Sequence, residues 1–265
     1  DPEDEGFWEE SYPDGATLPE LVLNGDYEEL GSELVANSDF SLGTASFNEQ
    51  LGVNFSVASG VATIQSTGAN SLIHQSISPP AVTTILQIEI DVVSFTGVGF
   101  NVQFGGNAIN VLTTGKQFLL TSSSRSNNKM DIAPQTNQTV VIRSISVKQV
   151  DPNSRWSLGT GWSILDGKAV FSGTDFANLQ LSSAILNIGD TYELTLTAAV
   201  TNGSFKVQHS GSSDLITESS SGTYSVTFTA TATSFTIARA TVGSQNDFTI
   251  DNLTVREYAI QPLDI

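Results

Sequence analysis

Two strands in this chain change phase at the same place. Apolar residues alternate through Val140 and Ile142, and again through Phe248 and Ile250. In each case the next apolar residue comes three positions on instead of two, and alternation resumes at Ile145 and Val147 in one copy and at Leu253 and Val255 in the other. Side chains along a strand switch face with period two, so such a slip keeps the apolar set on one face only if the strand bulges. Ile142 and Ile250 lie 108 residues apart, and the recurrence predicts one module used twice.

The rest of the chain fits that reading. A length of 265 residues accommodates two cores of ordinary domain size, and the absence of cysteine excludes a disulfide framework or a thiolate metal site. Short alternating runs separated by Gly, Ser, Asn and Pro, with no long amphipathic helical pattern, predict an all-β fold. Strands are expected near Val53–Val57, Val61–Gln65, Ser71–Ile77, Thr84–Val93, Val98–Phe104, Ala108–Leu112, Gln117–Thr121, Lys129–Ile132 and Val140–Lys148, with Ser78-Pro79-Pro80 the firmest break. Asp151-Pro152-Asn153-Ser154 marks a boundary, because proline ends a strand and the following pair favours a turn. Beyond it the landmarks return in order. The hairpin around Ser59-Gly60 answers to Asp166-Gly167, the strand Ile85–Val93 to Tyr192–Val200, and Phe100-Asn-Val-Gln-Phe104 to Phe205-Lys-Val-Gln-His209. The expected division is therefore an arm over 1–32, domains over 33–150 and 151–258, and a tail over 259–265.

Charge narrows the partners. A net charge of −18 argues against nucleic acid and anionic membrane, both of which need clustered Lys and Arg. No run of eighteen apolar residues and no basic segment leading into an apolar one occurs, so no spanning or secretory segment is expected. Twelve of the 28 acidic residues fall between Asp1 and Glu33, and no Lys or Arg precedes Lys116. Within that acidic stretch sit Phe7, Trp8 and Tyr12. Two readings stand for it: a solvated tail, or an arm whose aromatics dock into a partner. Next to it, Glu20-Leu-Val-Leu-Asn-Gly-Asp-Tyr27 is repeated as Glu33-Leu-Val-Ala-Asn-Ser-Asp-Phe40. The second copy opens the following domain. The first is expected to be an extra edge strand or a strand lent to a partner.

Chemistry is sparse. His74 and His209 occupy non-equivalent places in the repeat, without metal-ligand spacing around either. Gly105-Gly106-Asn107 has no following helix or Gly-Lys-Ser/Thr and reads as a turn rather than a phosphate loop. A glycosidase needs two carboxylates held close together; among strand-borne acids Glu89, Asp91 and Glu193 are the candidates, but Glu193 has no counterpart in the repeat, so no enzyme is expected.

The wording Glu-Leu-Val-x-Asn-x-Asp-Phe, then Gly161-Trp162, the hairpin Asp166 to Ala169, and the closing Ile-Asp-Asn-Leu-Thr-Val resembles the galactose-binding-like jelly roll of carbohydrate-binding modules, in tandem copies similar to those of bacteriophage virion proteins. The resemblance spans Glu33 to Tyr258. It implies two tandem jelly-roll β-sandwiches, and a structural protein on the virion surface, as head decoration or tail fibre, that assembles with other virion proteins, forms homo-oligomers and binds cell-surface glycans. The alternative is a stand-alone carbohydrate-binding module. The resemblance also implies sugar-stacking aromatics, for which Trp156, Trp162, Tyr192 and Tyr224 are the candidates; residues 33–150 contain no Trp, which places the expected glycan site in the second domain. In some family members a structural calcium joins the opening motif to the closing strand. Asp39 and Asp251 are the matching positions here, with Arg143 replacing the acid in one copy and Arg155 in the other.

Overall fold

The computed structural model describes residues 18–258 apart from 51, 69–70, 79–83, 105–106, 123–128, 176 and 210–212. Phe7, Trp8 and Tyr12 lie outside the described residues. Residues 27–154 together with 164–168 form one compact unit, and the rest of the described chain forms the other. Every regular element among the described residues is a strand.

The first unit contains β1 (Asn48–Glu49), β2 (Val53–Ala58), β3 (Val61–Ser66), β4 (Ile73–Ser76), β5 (Ile85–Phe95), β6 (Phe100–Phe104), β7 (Asn107–Val111), β8 (Gly115–Ser122), β9 (Lys129–Ala133) and β10 (Thr139–Gln149). They make two antiparallel five-stranded sheets, ordered β1-β4-β9-β6-β7 and β2-β3-β10-β5-β8. Apart from the hairpins β2-β3 and β6-β7, consecutive strands alternate between the sheets in the manner of a jelly roll. Period-two patterning aims Ile73, Phe100, Val102 and Ile132 of one sheet, and Ile64, Ile88, Ile90 and Ile142 of the other, into a single apolar cluster. Each such side chain contributes about 1.5–3 kcal/mol by leaving water.

A second set of strands repeats the plan: β11 (Trp156–Leu158), β12 (Trp162–Leu165), β13 (Lys168–Gly173), β14 (Asn178–Leu181), β15 (Thr191–Asn202), β16 (Phe205–His209), β17 (Ser213–Glu218), β18 (Gly222–Thr229), β19 (Phe235–Arg239) and β20 (Asn246–Glu257). Its sheets run β11-β14-β19-β16-β17 and β12-β13-β20-β15-β18, the same order displaced by ten strands. Phe171 and Phe248 stack 5.2 Å apart at its centre, with Trp162 and Phe205 against them. The fold is therefore all-β, with two jelly-roll sandwiches. Even the hairpin turns repeat: Ser59 and Gly60 have φ of 52° and 72°, Asp166 and Gly167 of 51° and 65°, as a type I′ turn requires.

The phase slip is a bulge in both closing strands. Register against β5 shifts between Ile142 and Ser144, and register against β15 shifts between Asp251 and Thr254. Each bulge divides its strand. Before it, β10 pairs with β3 and β20 with β13. After it, a different segment takes over. Along β10, Leu34 N–H donates to Val147 O (2.9 Å) and Ile145 N–H to Ser38 O (2.8 Å), while Glu33 Oε1 accepts from Val147 N–H (2.9 Å) and Val35 N–H (2.9 Å).

Along β20 the same atoms recur, supplied by the other copy of the motif. Leu21 N–H donates to Val255 O (2.9 Å), Leu253 N–H to Gly25 O (2.9 Å), and Glu20 Oε1 accepts from Val255 N–H (2.7 Å) and Val22 N–H (2.9 Å). Trp156 Nε1–H closes the site by donating to Asn24 O (2.9 Å). Asn24 and Tyr27 have φ of 58° and 55°, and Asn37 and Phe40 of 57° and 54°, so the two copies share one backbone shape. Residues 18–26, expected in a separate arm, thus supply the opening segment of the second jelly roll, while 29–31 run beside Gln149 to Asp151 in the first. The second unit is interrupted in sequence by the first.

His209 sits at the end of β16, 2% exposed, with Thr231 N–H and hydroxyl at 3.4 and 3.0 Å from Nδ1 and the Phe228 ring edge-on at 5.2 Å. Burial holds its pKa below the usual 6.5, only partly offset by the Ala232 backbone. The folded state therefore prefers neutral imidazole, and the stability this confers is present above pH 6.5 and lost as pH falls below it. Thermal melts of His209→Gln are expected to show a shallower loss of melting temperature between pH 7 and pH 5 than wild type. Parallel curves would show that another group sets the acid limb.

Candidate functional site

The expected aromatic platform is not at the surface. Trp156 and Trp162 are 5% and 7% exposed and Tyr192 is 1% exposed. The reason is alternation: Trp162 and Ile164 share the inward face of β12, as Tyr192, Leu194 and Leu196 share that of β15. Their polar atoms are committed inside the protein, with Trp162 Nε1–H donating to Ala177 O (3.0 Å) and Tyr192 Oη accepting from Asn187 N–H (2.9 Å). Tyr224 on β18 is half-buried, packs edge-on to Phe205 at 5.6 Å, and donates its hydroxyl to Ser220 O (2.6 Å). These four residues build core and turns rather than a sugar-stacking surface.

The two carboxylates expected at a cation site are likewise occupied locally. Asp39 Oδ1 accepts from Ser41 N–H (3.1 Å), and the hydrogen bonds from Ser41 hold its carboxyl below the usual range. Asp251 Oδ1 accepts from Asn252 N–H (2.7 Å) at the bulge. Among the described residues no group of three His, Asp or Glu side chains could hold a metal ion. The donors that the resemblance implies do not fit a hard cation's demand for six to eight oxygens.

The structure points instead to the first unit. The solvent-side face of the β1-β4-β9-β6-β7 sheet carries a groove of about 540 Å³, lined by Gln50, Ser71, Leu72, Asn101, Gln103 and Ala133 with the Pro134-Gln135-Thr136 loop. Register brings the lining together: Asn101 on β6 lies opposite Ala133 on β9, and Gln103 lies opposite Asp131, which in turn faces His74 on β4. The loop wall is fixed from beneath by Gln138, 3% exposed, whose Oε1 accepts from Gln135 N–H (2.7 Å) and whose Nε2–H donates to Gly99 O (2.8 Å).

Two acceptors on this face lack donors. Asn101 Oδ1 and Asp131 Oδ1 are both buried without a hydrogen-bond partner. Burial raises the Asp131 pKa, with His74 and Lys129 pulling the other way. A buried acceptor left unpaired costs about 1–3 kcal/mol, and neither oxygen is open to a ligand in this conformation. In the second unit the places of Asn101 and Gln103 are taken by Lys206 and Gln208, opposite Ala238 and Thr236. Both converge on Asp214 Oδ1, at 3.5 and 2.6 Å. Asn101 and Gln103 sit two apart on the outward face of β6, and Gln50 and Gln135 in loops, a pattern that any solvent-facing strand with polar turns shows, which is why the sequence did not single them out.

No family model and no curated protein matches the chain. Among solved structures it is similar to the N-terminal CBM22-1-CBM22-2 tandem domain of Paenibacillus barcinonensis Xyn10C, with 12% identity over 87% of this chain and 99% of that one and a TM-score of 0.30. It is also similar to a fucolectin from striped bass, Morone saxatilis, with 10% identity over 85% and 89% and a TM-score of 0.26. A third is the triple jelly-roll turret protein of an archaeal virus, with 13% identity over 81% of this chain and 59% of that one and a TM-score of 0.25. The fold assignment rests on the chain's own sheets and register.

Proposed function

We propose that the protein is a non-enzymatic binding module that takes a neutral glycan in the groove of its first unit. The observation that carries this reading is the groove itself, walled by the amides of Gln50, Asn101, Gln103 and Gln135. Sugar hydroxyls donate to amide oxygens and accept from the Asn and Gln amino groups. The volume lies in the range of small-molecule sites. Asn101→Ala and Gln103→Ala are expected to lower glycan affinity by on the order of tenfold each, equivalent to about 1.4 kcal/mol. Circular dichroism and melting temperature should remain those of wild type. Binding is read by glycan array and then by calorimetry on the best hit. Unchanged affinity in both variants, or no neutral glycan bound at all, sinks the reading.

A second reading concerns where such a module acts. The acidic N-terminal stretch with Phe7, Trp8 and Tyr12 supports display on a bacteriophage particle as head decoration or tail fibre, with the aromatics as attachment points and the negative charge keeping crowded copies apart. Removal of residues 1–17 is expected to abolish incorporation into particles and to leave glycan affinity unchanged. Normal decoration by the shortened chain would exclude attachment through that stretch.

A further inference from the structure

Past its bulge, β20 is completed by a segment that arrives from the far end of the chain. Residue 26 passes directly into the first unit at 27, and the remainder of the second unit begins at 155. Residues 18–26 are thus covalently continuous with the first unit and held in the second by non-covalent contacts. Without them the N–H groups of Leu253 and Val255 and the carbonyl of Val255 become an unpaired edge.

The slot is selective. Glu20 supplies a carboxylate where a neighbouring strand would offer a carbonyl, and its Oε2 lies 3.5 Å from Arg256 Nε. Val22 is 4% exposed. Gly25 is indispensable, because a Cβ there would lie 2.0 Å from Leu253 O. The sister motif has Ser38 at that position and is thereby excluded. Of the two copies of the motif, only residues 18–26 fit.

We propose that this slot joins copies of the chain, with residues 18–26 of one copy seated against β20 of a second. The hydrogen bonds are the same within one chain or between two, so effective concentration decides which forms. Dilute protein closes on itself. Crowded protein exchanges segments, and the product is a homo-oligomer that needs no new contact surface.

The test starts from wild-type protein carrying two different affinity tags. The two preparations are mixed at high concentration, taken into partially denaturing urea, returned to buffer and read by native mass spectrometry. Mixed-tag dimers are expected. A synthetic peptide of residues 18–27 in excess should convert them into monomers with one peptide bound, and Gly25→Val protein alone should give no dimer. The peptide competition uses wild type throughout and decides the matter even if Gly25→Val does not fold. Absence of mixed-tag dimers, or a dimer yield unaffected by the peptide, overturns the proposal.

Discussion

Replacing Gly25 with valine is expected to unfold the second unit while the first keeps its own thermal transition. The Cβ position of Gly25 is 2.0 Å from Leu253 O and 3.1 Å from the carbonyl carbon of the same residue. Neither is the end of a flexible side chain, so the segment must leave the strand. With it go the bonds of Leu21, Gly25 and Glu20 to β20, the Trp156 bond to Asn24 O, and the burial of Val22. Together these place the loss at about 4 kcal/mol or more, in the range reserved for core disruption. The corresponding drop in the melting temperature of the second transition is on the order of 15 °C. Ser38→Ala is the control, since that position already accommodates a Cβ, and it should shift the first transition by less than about 0.5 kcal/mol. Two-transition calorimetry, with hydrogen exchange at Leu253 and Val255, distinguishes the outcomes. Equal protection of those amides in variant and wild type would mean that the segment contributes nothing to the fold of β20.

This result bears on what a sequence of this kind reveals. Alternation places nine strands of the first unit within two residues of where they run, and the phase slips locate both bulges. These signals are local: period two survives in any strand with one face in the core. The fate of Glu20 to Tyr27 is not local. Its shape is encoded in the motif, and Asn24 and Asn37 adopt the same φ, but its partner strand lies more than 200 residues away. Proximity in sequence favours pairing with the first unit, whose matching strand is already filled by Glu33 to Phe40. Composition misleads in a similar way for the site. Tryptophan and tyrosine suggest sugar stacking until register turns Trp162 and Tyr192 inward, whereas the groove depends on Asn and Gln side chains that look like ordinary surface residues. They meet only when the fold lays the loops of Gln50 and Gln135 beside the outward face of β6.

Asn246→Leu is expected to destabilise the second unit by about 3–5 kcal/mol, which follows from the groups the amide serves. Asn246 is wholly buried. Its Nδ2 donates to Ser244 O (2.8 Å) and Thr241 O (3.1 Å), and its Oδ1 accepts from Ser204 N–H (3.0 Å). A leucine of similar volume strips Ser204 N–H and Ser244 O of this partner, while Thr241 O keeps only its bond from Arg239 Nη1 (2.6 Å). Asn246→Asp separates hydrogen bonding from packing. The carboxylate still accepts from Ser204 but faces two carbonyl oxygens, which favours its protonated form and raises its pKa in the folded state. The folded variant then binds more protons than the unfolded one, so its stability falls as pH rises and recovers toward pH 4. Melting curves of the second transition from pH 4 to pH 8 should show this slope in Asn246→Asp and not in Asn246→Leu. Gly203 reinforces the same lock: at φ of +76° its missing Cβ would sit 2.1 Å from Asn246 Oδ1. In the first unit Gly97 and Gln138 repeat the arrangement, with Gln138 Nε2 2.9 Å from the corresponding Cβ position. There the buried amide also holds the groove loop. Glycan affinity should therefore survive Asn246→Leu and be lost in Gln138→Leu, although both substitutions destabilise their own unit. Loss of affinity in both would show that the groove depends on the second unit as well as on its own sheet.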